Sequence, residues 1–254
     1  MMENLAILDL SAITMRFGAL KAIDNISLSI YPGERHALLG TNGAGKTTLF
    51  NVISGDIRPS QGKILFNGRD LSKLNADKRC RLGIGRTYQT PLLFNGLTVT
   101  QNLIVAVRGA NLGGLSVRSI NPQASWYIKA QELCSYVGLG DLSNSFVDLL
   151  SHGQRKQLEL GMALASDPSL LLLDEPAAGL SPSDRKDFIA LIAALPRNLT
   201  LLFVEHDMEV ALALAERVTV MKDGRILATG TPDEISSNAE VLRLYLGDPI
   251  EAYS

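Results

Sequence analysis

The chain has 254 residues, 46% of them hydrophobic, enough to bury a substantial core in one or two domains. Its 24 Lys and Arg nearly balance 26 Asp and Glu, which excludes a global electrostatic footprint for nucleic acid or an anionic membrane. No apolar run approaches the ~20 residues that span a bilayer, Glu3 and Asp9 interrupt what a signal peptide would need, and the isolated Cys80 and Cys134 suit a reducing compartment, so a cytosolic chain is expected.

In chain order, the first third reads as strands and turns. "NISLSI" alternates Ile26, Leu28 and Ile30 on one face, Pro32-Gly33 turns the chain, and "RHALLG" begins a more continuously apolar, hence more buried, strand. "KILFNGRDL" places Asn67-Gly68 where a tight hairpin needs positive φ. These predict a small antiparallel sheet beside a buried parallel one. Amphipathic helical stretches follow, "VTQNLIVAVRG" and "ASWYIKAQELCSYVGL", separated by a glycine- and serine-rich surface loop in 109–122. Beyond them the pattern alternates: a helix after Ser151, the strand "SLLLLDE", a helix from Pro182, the strand "LTLLFVEHD", a helix, and a hairpin turning at Asp223-Gly224. Alternating β and α units indicate a mostly parallel sheet with helices packed on it. "TPDE", from Thr231 to Glu234, has the residues of a capping box and begins a last helix.

"GTNGAGKTT", Gly40 to Thr48, matches G-x-x-x-x-G-K-[ST] between an apolar strand and the helix "TLFNVIS". Gly40, Gly43 and Gly45 let the backbone wrap so that N–H groups along Asn42, Ala44 and Thr48 face phosphate oxygens, aided by the helix N-terminus. Lys46 is expected to reach the β- and γ-phosphates and the Thr47 hydroxyl to ligate Mg²⁺. "LLLLDE" is the expected second half: a buried strand ending in Asp174 delivers a carboxylate to the Mg²⁺ shell, and Glu175 stands one residue further, where a general base activates water. No N-K-x-D guanine-reading motif occurs, which argues against a GTPase switch.

"SHGQ" sets Ser151 beside His152, as a hydrolase nucleophile beside its base would be. Ser151 with Gln154 has instead the spacing of a capping box, and Leu158, Met162 and Ala165 continue at helical intervals. A helix N-terminus with an exposed hydroxyl and glycine N–H suits phosphate binding, and no carboxylate stands at a spacing that would orient His152 as a base.

Taken together, the phosphate loop, Gln89, "LSHGQ", "LLLLDEP" and His206 resemble the ATP-binding subunit of an ABC transporter over essentially the whole chain. The resemblance implies an α/β fold with a RecA-like P-loop NTPase core, an N-terminal antiparallel β-subdomain and an inserted α-helical subdomain: residues 1–88 and 155–254 as the core with its β-subdomain, 89–154 as the insertion ending in the signature motif. It implies that Phe17 stacks on adenine, although the local pattern reads equally as a core residue. Gln89 is implied to contact Mg²⁺ or the attacking water and to sense the membrane partner, its other reading being a solvated loop residue. His206 is implied to orient the γ-phosphate, although "EHD" also reads as metal ligands or a helix cap. Ser151, Gly153 and Gln154 are implied to contact the ATP held by a second subunit. Two positions depart from the family pattern: His152 stands where glycine is usual, and Ser181 in "AAGLSPSD" replaces an aspartate that helps couple the two ATP sites.

"GIGRTYQTPLLFNGLTVTQNLIVA" and the ending "EVLRLYLGD" are most similar to cassettes of the branched-chain amino acid uptake group, which also serves urea and short amides. The implied ligands are ATP and Mg²⁺. The implied partners are a second cassette, identical or paralogous, two membrane permease subunits and, indirectly, a periplasmic binding protein, with no nucleic acid; the implied location is peripheral, on the cytoplasmic face of the inner membrane. The competing reading is a soluble ABC ATPase of DNA repair or translation.

Overall fold

The computed structural model describes residues 5–90, 92–112 and 124–246. Along the chain run β1 (Leu8–Phe17), β2 (Leu20–Ile30), β3 (Arg35–Gly40), α1 (Lys46–Ser54), β4 (Gln61–Phe66), β5 (Arg69–Asp70), α2 (Ala76–Cys80), β6 (Ile84–Arg86), α3 (Val99–Leu112) and α4 (Ser125–Tyr136). Then follow α5 (His152–Leu164), β7 (Leu170–Asp174), α6 (Pro182–Ala193), β8 (Thr200–Val204), α7 (Met208–Leu214), β9 (Arg217–Lys222), β10 (Arg225–Gly230), α8 (Pro232–Ser236) and α9 (Ala239–Leu246). The chain divides into two compact units, the first holding Met1–Ala76 and Arg197–Ser254, the second Asp77–Pro196.

The first unit contains both kinds of strand expected. An antiparallel sheet runs β2-β1-β4-β5, in which the buried Ile26, Leu28 and Ile30 of β2 pair across the ladder with the buried Ile13, Leu10 and Leu8 of β1. The β1/β2 ladder shifts register between Leu10 and Ile13, where Ala12 takes φ 52°. Beside this sheet, strands run in the order β10-β9-β3-β8, with β3 parallel to β8 and to β9. All residues of β3 and β8 are buried: the polar Arg35, His36 and Thr200 at their starts are followed by the apolar runs 37–39 and 201–204. Asn67 and Asp223 hold the hairpins β4/β5 and β9/β10 at φ 47° and 49°.

The second unit pairs β6 parallel to β7 and packs α3, α4 and α5 on one another around Leu103, Val107, Ala130, Cys134 and Leu158. The same compact unit also holds α2 from Asp77 onward, β6, the whole of α5, β7 and α6. Two local expectations are corrected. Helix α3 runs on through Gly109 to Leu112, so only 113–122 of the expected loop remain, and these lie outside the described residues. The helix capped by Thr231 ends at Ser236, and α9 starts separately because Asn238 Oδ1 accepts from the N–H groups of Glu240 and Val241.

Candidate functional site: phosphate loop and carboxylate cluster

In the first unit β3 ends at Gly40, and the loop of Thr41 to Gly45 leads directly into α1. Gly45 is the N-cap of α1 at φ 96°, with no side-chain cap hydrogen bond and no acidic residue in the first turn. Its neighbours explain the glycine: a Cβ there would stand 2.6 Å from Ala22 O, while Gly40 would meet Met221 O at 2.4 Å. By contrast α5, α6, α7 and α8 are each capped by a side-chain oxygen. An uncapped helix N-terminus behind a glycine loop binds an anion with its own N–H groups. The Lys46 ammonium is buried and donates to Gly40 O at 2.6 Å and Thr41 O at 3.0 Å, which holds it inside the curl of the loop. Asn42, Gly43 and Thr47 are exposed, Ala44 is buried, and Thr48 is half-buried on the first turn of α1. The loop thus fits a nucleotide phosphate, and the exposed Thr47 hydroxyl fits a ligand to its cation.

Two further residues of this unit were singled out by the sequence. Phe17 is 49% exposed at the β1/β2 turn, where it pairs across the hairpin with Leu20. This geometry is that of a free ring face and not of a core residue. His206 is exposed just beyond the buried end of β8. The cap of α7 is its neighbour Asp207, which accepts from the N–H groups of Glu209 and Val210. Among the described residues no group of His, Cys, Asp and Glu is arranged to hold a metal ion by itself. A nucleotide-bound Mg²⁺ needs no such group, because it uses one or two protein oxygens together with phosphate and water.

The second unit holds the carboxylates. Asp174 closes β7, 2% exposed, and Arg86 at the end of β6 pairs with its Oδ2 at 3.2 Å. Burial pushes the Asp174 carboxyl above its ordinary range, and the Arg86 guanidinium opposes that rise. Glu175 leaves the strand at φ 47°, a strained conformation for a side chain with a Cβ and of the kind found at functional sites. Gln89, exposed, donates from Nε2 to Glu175 Oε2 at 3.4 Å. The structure therefore brings together Gln89, Asp174 and Glu175 within this unit.

The signature stretch is a helix N-terminus, as the sequence predicts. Gln154 N–H donates to Ser151 Oγ at 3.2 Å, and Ser151 N–H donates to Gln154 Oε1 at 2.9 Å. Both Ser151 and His152 are exposed, whereas Gly153 is buried. A Cβ on Gly153 would come 3.2 Å from Cβ and Cγ of Asp184, and one on Gly179 would come 3.1 Å from His152 Nε2. His152 thus lies over the "AAGLSP" turn, where Ser181 caps α6 by accepting from Asp184 N–H at 3.2 Å.

Four participants escaped the sequence reading. Arg86 lies over the Tyr88 ring at 4.7 Å. Lys156 and Glu159, both buried on α5, reach Glu175 O at 3.0 Å and the Tyr88 N–H at 2.6 Å. The available signal was a pair of charges three residues apart on a helix face that also carries core leucines.

A glycine loop between a buried strand and an uncapped helix is the phosphate loop of a P-loop nucleotide-binding fold. Residues 23–178 match the ABC transporter family model, and residues 225–251 match that of the branched-chain amino acid ATP-binding cassette transporters. The chain belongs to the ABC transporter family and is an ATP hydrolase of that type. It is 38% identical to the high-affinity branched-chain amino acid transport ATP-binding protein LivG of Escherichia coli, covering 95% of this chain and 98% of that one. With the corresponding Pseudomonas aeruginosa protein, BraF, it shares 37% over 95% and 98% of the two chains. The lipopolysaccharide export ATP-binding protein LptB of Haemophilus influenzae is 35% identical over 96% and 98%. The crystal structure of the ADP conformation of MJ1267, an ATP-binding cassette of an ABC transporter, superposes with a TM-score of 0.85 at 29% identity, covering 96% of this chain and 100% of that one. Among the described residues no helix is long and apolar enough to cross a membrane.

Proposed function

We propose that this chain energises an importer for branched-chain or other hydrophobic amino acids. It binds and hydrolyses ATP in a closing pair of cassettes on the cytoplasmic face of the inner membrane. The observation that carries the reading is the match of residues 225–251 to the branched-chain amino acid cassette model, on top of 38% identity to LivG. Its partners in this reading are a second cassette, identical or paralogous, two permease subunits and, through them, a periplasmic binding protein.

Within that function Lys46 and the loop N–H groups take the phosphates, and Phe17 stacks on the adenine. Thr47, Gln89 and Asp174 would hold Mg²⁺, which when bound supplies positive charge to the β- and γ-phosphate oxygens. A carboxyl raised by burial, as that of Asp174 is, gains from a cation. Glu175 accepts the proton of the attacking water, Gln89 and His206 orient that water and the γ-phosphate, and Ser151, Gly153 and Gln154 serve the ATP of the second cassette. Asp174 paired with Arg86 and Glu175 bonded to Gln89 support a division of labour in which one carboxylate binds and the other acts as base.

The test is reconstitution with the permease subunits and uptake of labelled leucine driven by ATP. Stimulation of hydrolysis by a binding protein loaded with leucine, isoleucine or valine supports the reading; stimulation by urea or short amides alone places the chain in that neighbouring group. Purification with ribosomes or DNA in place of the membrane fraction would return it to the soluble ABC ATPases. The 35% identity to LptB keeps an export role as the second reading, and failure to drive uptake with retained hydrolysis would favour it.

A further inference from the structure

Helix α5 begins at the signature capping box, and within its next two turns it carries two charges that are almost fully buried, Lys156 at 4% and Glu159 at 7% exposure. Buried charges are costly unless bonded, and a residue present only for packing would be apolar. Both are bonded to backbone, and both to segments that carry candidate site residues. Glu159 Oε1 accepts the Tyr88 N–H at 2.6 Å, one residue before Gln89. Lys156 Nζ donates to the carbonyl of Glu175 at 3.0 Å. The Arg86 guanidinium lies over the Tyr88 ring, 4.7 Å from its centroid, and also pairs with Asp174 at 3.2 Å.

We propose that Glu159 is a positioning residue for ATP hydrolysis: its carboxylate holds the backbone of Tyr88, and through it sets the Gln89 side chain against Glu175. The proposal rests on the reading of Glu175 as the base. Charge-assisted bonds to backbone groups are short and directional, so Glu159 fixes the point from which the Gln89 side chain extends, while Lys156 fixes the Glu175 backbone. The same helix that presents Ser151 to a second cassette therefore holds the polar pair of its own chain. The bond to the Tyr88 N–H needs an acceptor oxygen at this length of side chain, and glutamine keeps one.

The test compares Glu159→Gln with Glu159→Met, side chains of similar length with and without the acceptor, in the full-length chain. The expected result is that Glu159→Met loses at least ~10-fold in kcat while its KM and affinity for ATP stay within ~2-fold, because misplacement affects chemistry more than binding. Glu159→Gln is expected to restore kcat to within ~3-fold of wild type, since an amide oxygen still accepts the bond. A Glu159→Met enzyme with wild-type kcat overturns the proposal, and so does a Glu159→Gln enzyme as slow as Glu159→Met. Glu175→Gln measured alongside separates the two readings: wild-type turnover there sinks the base assignment and this proposal with it, whereas its loss beside an unaffected Glu159→Met sinks the proposal alone. Should Glu159→Met not fold, hydrogen exchange of the wild-type Tyr88 amide decides, protection supporting the bond and free exchange refuting it.

Discussion

Gln89 Nε2 donates to Glu175 Oε2 across 3.4 Å, joining two residues 86 positions apart in the sequence. The contact sets a neutral amide donor against the carboxylate proposed above as the general base. Glu175→Gln keeps shape and hydrogen bonding but cannot act as a base. We expect ATP to bind normally and turnover to fall at least ~100-fold, the usual worth of general-base catalysis. Single-turnover hydrolysis with separately measured ATP affinity checks this, and wild-type turnover would put the base elsewhere.

Lys46 is held by the carbonyls of Gly40 and Thr41 inside the phosphate loop. Lys46→Ala removes the cation expected to face the β- and γ-phosphates and leaves those carbonyls without their donor. Steady-state ATPase activity at saturating ATP and Mg²⁺ should vanish. Undiminished activity would refute the phosphate-loop assignment.

The cross-subunit role of the signature is best tested at Ser151. Gly153→Asp would set a second carboxylate against Asp184 of the same chain, so its effects would mix an internal clash with any contact across the dimer. Ser151→Asp preserves a good N-cap while adding negative charge to an exposed position. It should bind ATP on its own loop, melt like wild type, and fail to hydrolyse as a dimer. Ser151→Ala, by contrast, should lose about 1 kcal/mol of stability with the capping box. Thermal melts and ATPase assays on the two variants distinguish a cap from a contact, and full hydrolysis by Ser151→Asp would leave the signature with the capping role alone.

Stability should depend on pH through Glu159. Burial raises its carboxyl to about 7, against the lowering effects of the Tyr88 N–H and Lys156. The folded state then binds the proton more tightly than the unfolded chain, whose glutamate titrates near ~4.3. The resulting stabilisation, on the order of 3 kcal/mol, is full below that unfolded value and is lost as pH rises through about 7. Asp174 is shifted in the same direction, so the informative quantity is the difference between wild type and Glu159→Gln. Urea unfolding between pH 5 and 8 should show a shallower decline for the variant, and parallel curves would contradict the buried, raised carboxyl.

What the sequence by itself determined is what short-range chemistry decides. The phosphate loop, the capping boxes at Ser151 and Thr231, the Ser181 cap and the hairpins at Asn67 and Asp223 all stand where their residue types require them. Each depends on hydrogen bonds or φ values within a few residues, so spacing is sufficient to read it. The break between α8 and α9 is equally local, written in Asn238, but the capping box before it satisfies the pattern of one helix and masks it. Tertiary structure alone decided the rest. Arg86 meets Asp174 because β6 pairs parallel with β7, and Glu159 reaches Tyr88 across 71 residues because α5 packs on β6. A buried charge carries no mark in the sequence of which partner it will have; only the packing that removes it from water makes that partner necessary and supplies it.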